Sequence, residues 1–269
     1  MRIAIIGHKG YIGENLVNHL EVQKDEIVGF DKREGLAGEN IKFFFSKFDA
    51  VVHLAAFPGV ANCMKDLERA TIDNISSAFN VFRECYKEGI TCIFISSQAA
   101  KFPDHSRYGT IKRMIEIEAD RYNAMGGDIR ILRFTNVYGG IGYFQKKSTV
   151  IARMVESIRE HKPFVIYGDG SQKRDFIHVD DICRAIDYTI KKGRPYRYPI
   201  DIGTGIGTSV IELVRMFQKK SSDFLFTNDI ESDMVGPNES IANIISAEQM
   251  LGFKYYIKLE DWVQFTIDI

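Results

Sequence analysis

Apolar residues follow two alternating patterns along the first half of the chain. Short β-branched runs predict buried strands at residues 3–6, 26–31, 49–56, 91–97 and 128–134. Between several of these runs, apolar residues recur every three to four positions and predict amphipathic helices after residue 10 and over 73–87 and 108–123. Strands that alternate with helices in this way predict an α/β fold with a parallel sheet.

The regular alternation ends after residue 134, and the pattern becomes more varied. Helices are predicted at about 148–160, 179–191, 209–218 and 259–269, and short strands at 164–166 and 200–205. We therefore expect one domain over 1–137 and a second, smaller α/β domain over 138–269. A segment at about 170–203 is expected to return to the first domain.

Composition narrows the class of protein. A hydrophobic share of 45% and a charged share of 26% are typical of a globular domain, and a net charge of -1 gives no reason to expect nucleic acid or a membrane surface as a partner. The four cysteines lack paired spacing and no signal peptide is evident, so we expect a reducing, cytoplasmic environment. The six histidines are scattered, and we expect no metal.

Three regularly spaced glycines follow the first predicted strand. Gly7, Gly10 and Gly13 stand where the chain must turn sharply from strand to helix. Glycine is needed where the backbone approaches a pyrophosphate closely, and the free N–H groups at the helix start then bind the anion. The spacing differs from the commoner G-x-G-x-x-G, so a turn without a ligand remains the alternative.

A carboxylate ends the second predicted strand. Asp31 lies 18 residues beyond Gly13, the separation typical of a dinucleotide-binding βαβ unit in which an acidic residue accepts the ribose hydroxyls of adenosine. This favours NAD as the cofactor. Lys32 and Arg33 follow directly and suit a 2′-phosphate, so NADP remains an alternative.

Hydroxyl groups and a Tyr-Lys pair follow in the next βα unit. Ser97 ends the predicted strand 91–97, at the sheet edge where α/β proteins place functional groups. Tyr108 and Lys112 are four residues apart and share one face of a predicted helix. A nearby ammonium lowers a tyrosine pKa, so such a pair can act as a general base. Most pairs at this spacing are surface pairs, and the spacing alone does not decide between the two.

Together these motifs, in this order, resemble the extended short-chain dehydrogenase/reductase family, and more narrowly its NAD-dependent nucleotide-sugar epimerase/dehydratase branch. The resemblance extends over nearly the whole chain. Its further motifs are His53-Leu54-Ala55-Ala56, Asn136-Val137-Tyr138-Gly139 and Arg174-Asp175-Phe176-Ile177-His178. It implies a Rossmann-type doubly wound sheet and a C-terminal domain that closes over a nucleotide sugar.

The resemblance also implies roles for individual residues. The cofactor-binding residues would be Gly7, Gly10, Tyr11, Ile12, Gly13, Asp31, Leu54, Ala55, Ala56, Asn74, Tyr108 and Lys112. The catalytic residues would be Ser97, Tyr108 and Lys112, and the substrate contacts would be Ser97, Asn136 and Arg174. Relatives commonly dimerise through the helices at 73–87 and 108–123, so a homodimer is implied as well.

One departure from the family pattern narrows the predicted reaction. Dehydratases of the family carry an acid pair directly after the strand-end hydroxyl, whereas Gln98 and Ala99 follow Ser97 in this chain. The segment from Ser97 to Tyr108 is also shorter than is usual. We predict a nucleotide-sugar 4-epimerase of carbohydrate biosynthesis that works through a 4-keto intermediate. The alternatives are a reductase of a nucleotide-linked 4-keto sugar and a non-catalytic NAD-binding regulator.

Overall fold

A parallel sheet lies at the centre of the fold. The computed structural model describes residues 1–34, 45–143, 149–191, 196–230 and 236–265. The sheet strands, in chain order, are β1 (Arg2–Ile6), β2 (Glu26–Phe30), β3 (Ala50–His53), β4 (Thr91–Ser97), β5 (Ile129–Phe134) and β10 (Ile200–Ile202). Their spatial order is β2-β1-β3-β4-β5-β10, so the direction of winding reverses between β1 and β3. The predicted doubly wound α/β fold is confirmed.

Helices cover both faces of the sheet. On one face lie α1 (Tyr11–Val22) and α7 (Val179–Lys191), and on the other lie α4 (Ser77–Glu88) and α5 (Arg107–Ala124). Alternate residues of β1 belong to the two cores, with Ile5 in the first and Ile6 in the second. Because both faces are buried, the strands are continuous apolar runs and do not alternate with polar residues.

Shorter elements complete the described part of the chain. The other helices are α2 (Val60–Lys65), α3 (Leu67–Ala70), α6 (Val150–Arg159), α8 (Val210–Lys220) and α9 (Leu259–Phe265). The other strands form three small sheets: β6 (Asn136–Tyr138) with β9 (Phe176–His178), β7 (Phe164–Tyr167) with β12 (Phe226–Asp229), and β8 (Lys173–Arg174) between β11 (Thr208–Ser209) and β13 (Glu239–Ser240). No helix among the described residues is long and apolar enough to cross a bilayer.

The largest differences from the predicted elements are at the ends of helices and in the small sheets. The helix predicted from residue 73 begins earlier, with a π-helical turn at Thr71–Ser76 that runs directly into α4. The two-residue strands β8, β11 and β13 were not predicted, because so few residues show no periodicity. The predicted helix ends at 148 and 269 lie outside the described residues.

A buried carboxylate joins the later strands to the central sheet. Asp175 is fully buried between β8 and β9. It accepts hydrogen bonds from the backbone N–H groups of Thr204, Gly205 and Ala242 and from the Thr204 hydroxyl. Thr204 follows β10 closely, so this one side chain holds three distant segments together.

Replacing this carboxylate by an amide tests its contribution to stability. In Asp175→Asn one oxygen becomes an NH₂ group that faces N–H donors, so the free energy of unfolding should fall by roughly 2 kcal/mol. Urea unfolding followed by circular dichroism measures the change. Asp169→Asn is the matched control, because Asp169 is exposed and, within the described part of the chain, its side chain accepts hydrogen bonds from Ser171 alone. Equal stabilities of the two variants would contradict this role of Asp175.

Candidate functional site

A cavity of about 380 Å³ opens at the carboxyl edge of the central sheet, where the winding reverses between β1 and β3. Open α/β sheets bind ligands at this place, because the loops on either side run to opposite faces and leave a crevice. The predicted residues that line the cavity are Gly7, Gly10, Tyr11, Ile12, Gly13, Asp31, Leu54, Ala55, Ala56, Ser97, Tyr108 and Lys112. The structure therefore brings most of the predicted site together.

The glycine turn after β1 leaves no room for side chains. Gly7 has a φ of +90°, and a Cβ on it would lie 2.7 Å from the backbone nitrogen of Ala55. A Cβ on Gly13 would lie 2.2 Å from the carbonyl oxygen of Gly7. The N-terminus of α1 is thus packed directly on the turn, and no side chain caps it. Its free N–H groups and its dipole suit an anion such as a pyrophosphate.

Two carboxylates, Asp31 and Asp73, line the cavity on the β2 side of the glycine turn. Asp31 is 7% exposed and accepts the N–H of Arg33 at 3.0 Å. Both neighbouring cations have partners: Lys32 Nζ lies 2.6 Å from Asp73 Oδ2, and Arg33 Nη1 donates to the carbonyl of Lys9 at 2.6 Å. A 2′-phosphate would meet Asp31 and would have to compete with Asp73 for Lys32. The arrangement fits the free ribose hydroxyls of NAD.

Ser97, Tyr108 and Lys112 meet at the ends of β4 and β5. The Ser97 hydroxyl accepts the N–H of Ala99 at 3.2 Å, and it lines the same cavity as the phenol of Tyr108. Lys112 is 3% exposed; its Nζ donates to the carbonyl of Ile95 at 2.8 Å and lies 5.9 Å from the centre of the Tyr108 ring. The N-cap Ser106 starts α5 just before Tyr108, so the short 98–105 segment places the phenol over the strand ends.

Burial dominates the electrostatics of this group. It raises the pKa of Tyr108 to about 12, against a smaller lowering influence of the Ser97 hydroxyl. It lowers the pKa of Lys112 to about 8. The expectation that Lys112 brings the tyrosine pKa below its ordinary value is therefore wrong for the protein without ligand. The ammonium of Lys112 donates to the Ile95 carbonyl, and the desolvation of the phenolate is the largest influence on the Tyr108 pKa.

Three predicted site residues do not line the cavity. Asn74 is 2% exposed, and its amide binds the backbone N–H and C=O of Phe57, so it holds the loop after β3. Asn136 is exposed and donates to the carbonyl of Asp175 at 3.0 Å. Arg174, which directly precedes Asp175, donates to the carbonyl of Pro237 at 2.8 Å. Asn136 and Arg174 thus lie close to each other, beyond the cavity.

The cavity also contains residues that sequence reasoning did not single out. Ser77 lines it and hydrogen-bonds His53 Nε2 at 3.2 Å, while burial lowers the pKa of His53 to about 3 and keeps the ring neutral. Thr135 lines it as well, and its buried hydroxyl has no hydrogen-bond partner among the described residues. Thr135 directly follows β5 and precedes the Asn136 motif. This position at the end of a strand is the sequence signal that could have identified it as a cavity residue.

Comparison with known proteins decides the family. The sequence model of the NAD dependent epimerase/dehydratase family matches residues 3–203. The chain belongs to this family. Its members depend on NAD, and the glycine cradle, the buried Asp31 and the crevice between β1 and β3 fit that cofactor. Among the described residues, no group of three or more His, Cys, Asp or Glu side chains could hold a metal ion.

Similar proteins include sugar-nucleotide epimerases. The chain is 26% identical to a UDP-glucuronate 4-epimerase of Thermodesulfobacterium geofontis, with 92% of this chain and 81% of the relative covered. It is also 26% identical to a UDP-glucose 4-epimerase of Mycoplasma genitalium, with 97% and 94% covered. The structure of UDP-glucuronic acid 4-epimerase from Bacillus cereus with UDP-glucuronic acid and NAD superposes with a TM-score of 0.87 at 24% identity, with 98% and 96% covered.

Relatives of comparable identity carry names of other reactions, among them a dTDP-4-dehydro-6-deoxy-D-allose reductase at 26% and a UDP-glucuronic acid decarboxylase at 21%. The family is therefore one of NAD-dependent enzymes that act on nucleotide sugars. The reaction of this chain has to be argued from its own residues.

The glycine cradle predicts a specific loss of cofactor binding. In Gly13→Ala the new Cβ would overlap the Gly7 carbonyl, so the turn must move away from the start of α1. We expect the dissociation constant for NAD, measured by isothermal titration calorimetry, to rise at least about a hundredfold. Asn18→Ala, on an exposed position of the same helix, should bind NAD like the wild type. Unchanged affinity in Gly13→Ala would contradict the assignment of this turn to the cofactor.

Proposed function

We propose that this protein is a nucleotide-sugar 4-epimerase that acts through a transient 4-keto intermediate. The observation that carries the proposal is the convergence of Ser97, Tyr108 and Lys112 at one end of the NAD cavity, with no carboxylate directly after Ser97. Bound NAD would supply the two-electron chemistry at the sugar carbon, and its positive charge would favour the Tyr108 phenolate. All other steps belong to side chains of the protein.

In this proposal Tyr108 accepts the proton of the C4 hydroxyl when that carbon is oxidised, and returns it when the ketone is reduced on its other face. Ser97, which lines the cavity together with Tyr108, stabilises the developing carbonyl oxygen. Lys112 contributes positive charge about 6 Å from the phenol ring, which offsets part of the cost of a buried phenolate. The proton returns to the oxygen that lost it, so no net acid or base is consumed.

The residues after Ser97 support epimerisation over loss of water. Removal of water across C5 and C6 needs an acid and a base beside the sugar. Here the side chain of Gln98 is neutral and 3% exposed, and Ala99 has no polar atom. The reductase alternative loses support as well, because Lys32 and Arg33, the cations that suited NADPH, already have anionic or carbonyl partners.

Three further features belong to the proposal. We propose that residues 1–137, with about 170–203, bind NAD and that the rest of 138–269 binds the substrate. A comparison of crystal structures with and without substrate would test this division by a rotation of one part against the other.

A homodimer through α4 and α5 is also part of the proposal. It is supported by Met114 and Ile117 on α5, which are 48% and 52% exposed, and it is tested by sedimentation velocity. The four cysteines are free thiols, which supports a cytoplasmic role in carbohydrate biosynthesis, tested by cell fractionation.

Substitution of the phenol tests the catalytic assignment. Incubation of the protein and NAD with UDP-, GDP-, CDP- and dTDP-hexoses should show C4 inversion by NMR without net NADH. In Tyr108→Phe, kcat should fall about a thousandfold because the proton acceptor is lost. Tyr122→Phe on the same helix is the control and should keep full activity.

Each other outcome would identify a different function. Unchanged turnover in Tyr108→Phe would contradict the general base. Stoichiometric consumption of NADH with a 4-keto sugar would indicate a reductase. Tight NAD binding with no conversion of any hexose nucleotide would indicate a regulator.

Arg174 is proposed to bind the substrate diphosphate through paired N–H donors, as its position next to Asn136 suggests. In Arg174→Gln we expect KM for the nucleotide sugar to rise about tenfold or more, with a smaller change in kcat. Steady-state kinetics measures both. Lys173→Gln, an exposed neighbour, is the control, and an unchanged KM in Arg174→Gln would contradict the assignment.

A further inference from the structure

A buried carboxylate lies beside the strand end that carries Ser97. Glu116 is on α5, one helical turn beyond Lys112 and two turns beyond Tyr108, and it is 2% exposed. A buried carboxylate is unfavourable unless positive charge and hydrogen bonds replace its lost hydration. Neither the proposed proton transfer nor the NAD cradle uses this group.

Donors from three elements surround Glu116. Arg133 on β5 binds it with two N–H groups, Nε 2.8 Å from Oε1 and Nη2 2.6 Å from Oε2. The hydroxyl of Ser96 on β4 donates to Oε1 at 2.7 Å, and Arg113 on α5 lies 3.2 Å from Oε2. A bidentate pair of this kind fixes the orientation of both partners, so α5 and the ends of β4 and β5 are held in one geometry.

The serine in this cluster connects Glu116 to the proposed catalytic residues. Ser96 is covalently joined to Ile95, whose carbonyl accepts the hydrogen bond from Lys112 Nζ at 2.8 Å, and to Ser97. A displacement of Ser96 would therefore move both the acceptor that orients Lys112 and the hydroxyl that meets Tyr108.

The ion pairs continue to the segment between Ser97 and Tyr108. Arg133 Nη1 lies 3.9 Å from Asp201 on β10, and Asp201 pairs with Lys101 Nζ at 2.8 Å. Lys101 ends the 3₁₀ turn Gln98–Lys101 that directly follows Ser97. The same cluster of charges thus contacts Ser96, which precedes Ser97, and the turn that follows Ser97.

We propose that Glu116 is a positioning residue, which through Ser96 and Arg133 holds Ser97 and Lys112 in the geometry that proton transfer by Tyr108 requires. This inference rests on the proposed function. Glu116 does not touch the substrate or the cofactor; it acts through the backbone of β4 and through its negative charge.

The charge has its own measurable consequence at Lys112. Burial lowers the pKa of Lys112 to about 8, and Glu116 is the largest influence that opposes this shift. Besides Glu116 and Tyr108 on its own helix, Lys112 faces the Cys63 thiol, whose pKa burial raises, and the neutral ring of His53. Neither of these groups carries a charge near neutral pH, so Glu116 is the main negative charge that acts on Lys112 among the described residues.

Replacing the carboxylate with its isosteric amide separates charge from shape. In Glu116→Gln the pKa of Lys112 should fall by about one unit, because an anion one helical turn away is lost. The side-chain NMR signal of Lys112, assigned with Lys112→Met, reports this pKa without any substrate. The alkaline limb of the kcat profile should move to lower pH by the same amount, and kcat at pH 8 should fall roughly tenfold or more. Glu118→Gln, which removes a partly exposed carboxylate from the same helix, should change neither.

A double variant distinguishes positioning from a purely structural role. Glu116→Gln leaves Arg133 buried without its anion, whereas Glu116→Gln with Arg133→Met removes both charges and should recover much of the lost stability. We expect kcat to stay low in the double variant, because Ser97 and Lys112 are still not held. Recovery of kcat together with stability would overturn the proposal, as would a Glu116→Gln protein with an unchanged Lys112 pKa and pH profile. A wild type that converts no sugar nucleotide would contradict the proposed function alone, since the NMR readout is independent of it.

Discussion

All six strands of the central sheet run in the same direction, and the site depends on this constraint. Parallel strands have their carboxyl ends at one edge, so the residues that follow them meet there although they are far apart in sequence. Gly7, Asp31, Leu54, Ser97 and Thr135 each follow or end a different strand, and all line one cavity. Reversing a single strand would remove its contribution to that edge.

The second determinant of the site is the low dielectric of the interior. Lys112 and Glu116 are almost fully buried, and each depends on specific partners that replace water. Such pairs contribute little net stability compared with apolar packing, but breaking one leaves an uncompensated charge. Their value here is geometric, because a side chain with a fixed partner keeps a single orientation at the strand ends.

The start of α1, next to the glycine turn, contacts the later half of the chain directly. The hydroxyl of Tyr11, at the start of α1, donates to the carbonyl of Gly139 at 2.6 Å. The Asn15 amide exchanges two hydrogen bonds with the backbone of Ile141, and Tyr138 donates to the carbonyl of Ile257 at 3.1 Å. Tyr11 also lines the cavity, so the cavity wall and the loop after β6 are in direct contact.

The order of elements and much of the site were determined by the sequence alone, because apolar periodicity, glycine spacing and a carboxylate at a strand end are local properties. Gly7, Gly10, Gly13, Asp31, Ser97, Tyr108 and Lys112 were predicted from such patterns together with the family resemblance, and all of them line the cavity. Tertiary structure decided what depends on distant partners. Burial, which no local pattern reports, is the largest influence on the pKa values of Tyr108 and Lys112. It raises the pKa of Tyr108, whereas a lowered pKa was expected. Lys32 is paired with Asp73, 41 residues away, and is therefore not free to bind a phosphate. The proposed role of Glu116 follows from contacts with β4 and β5 that only the folded chain makes.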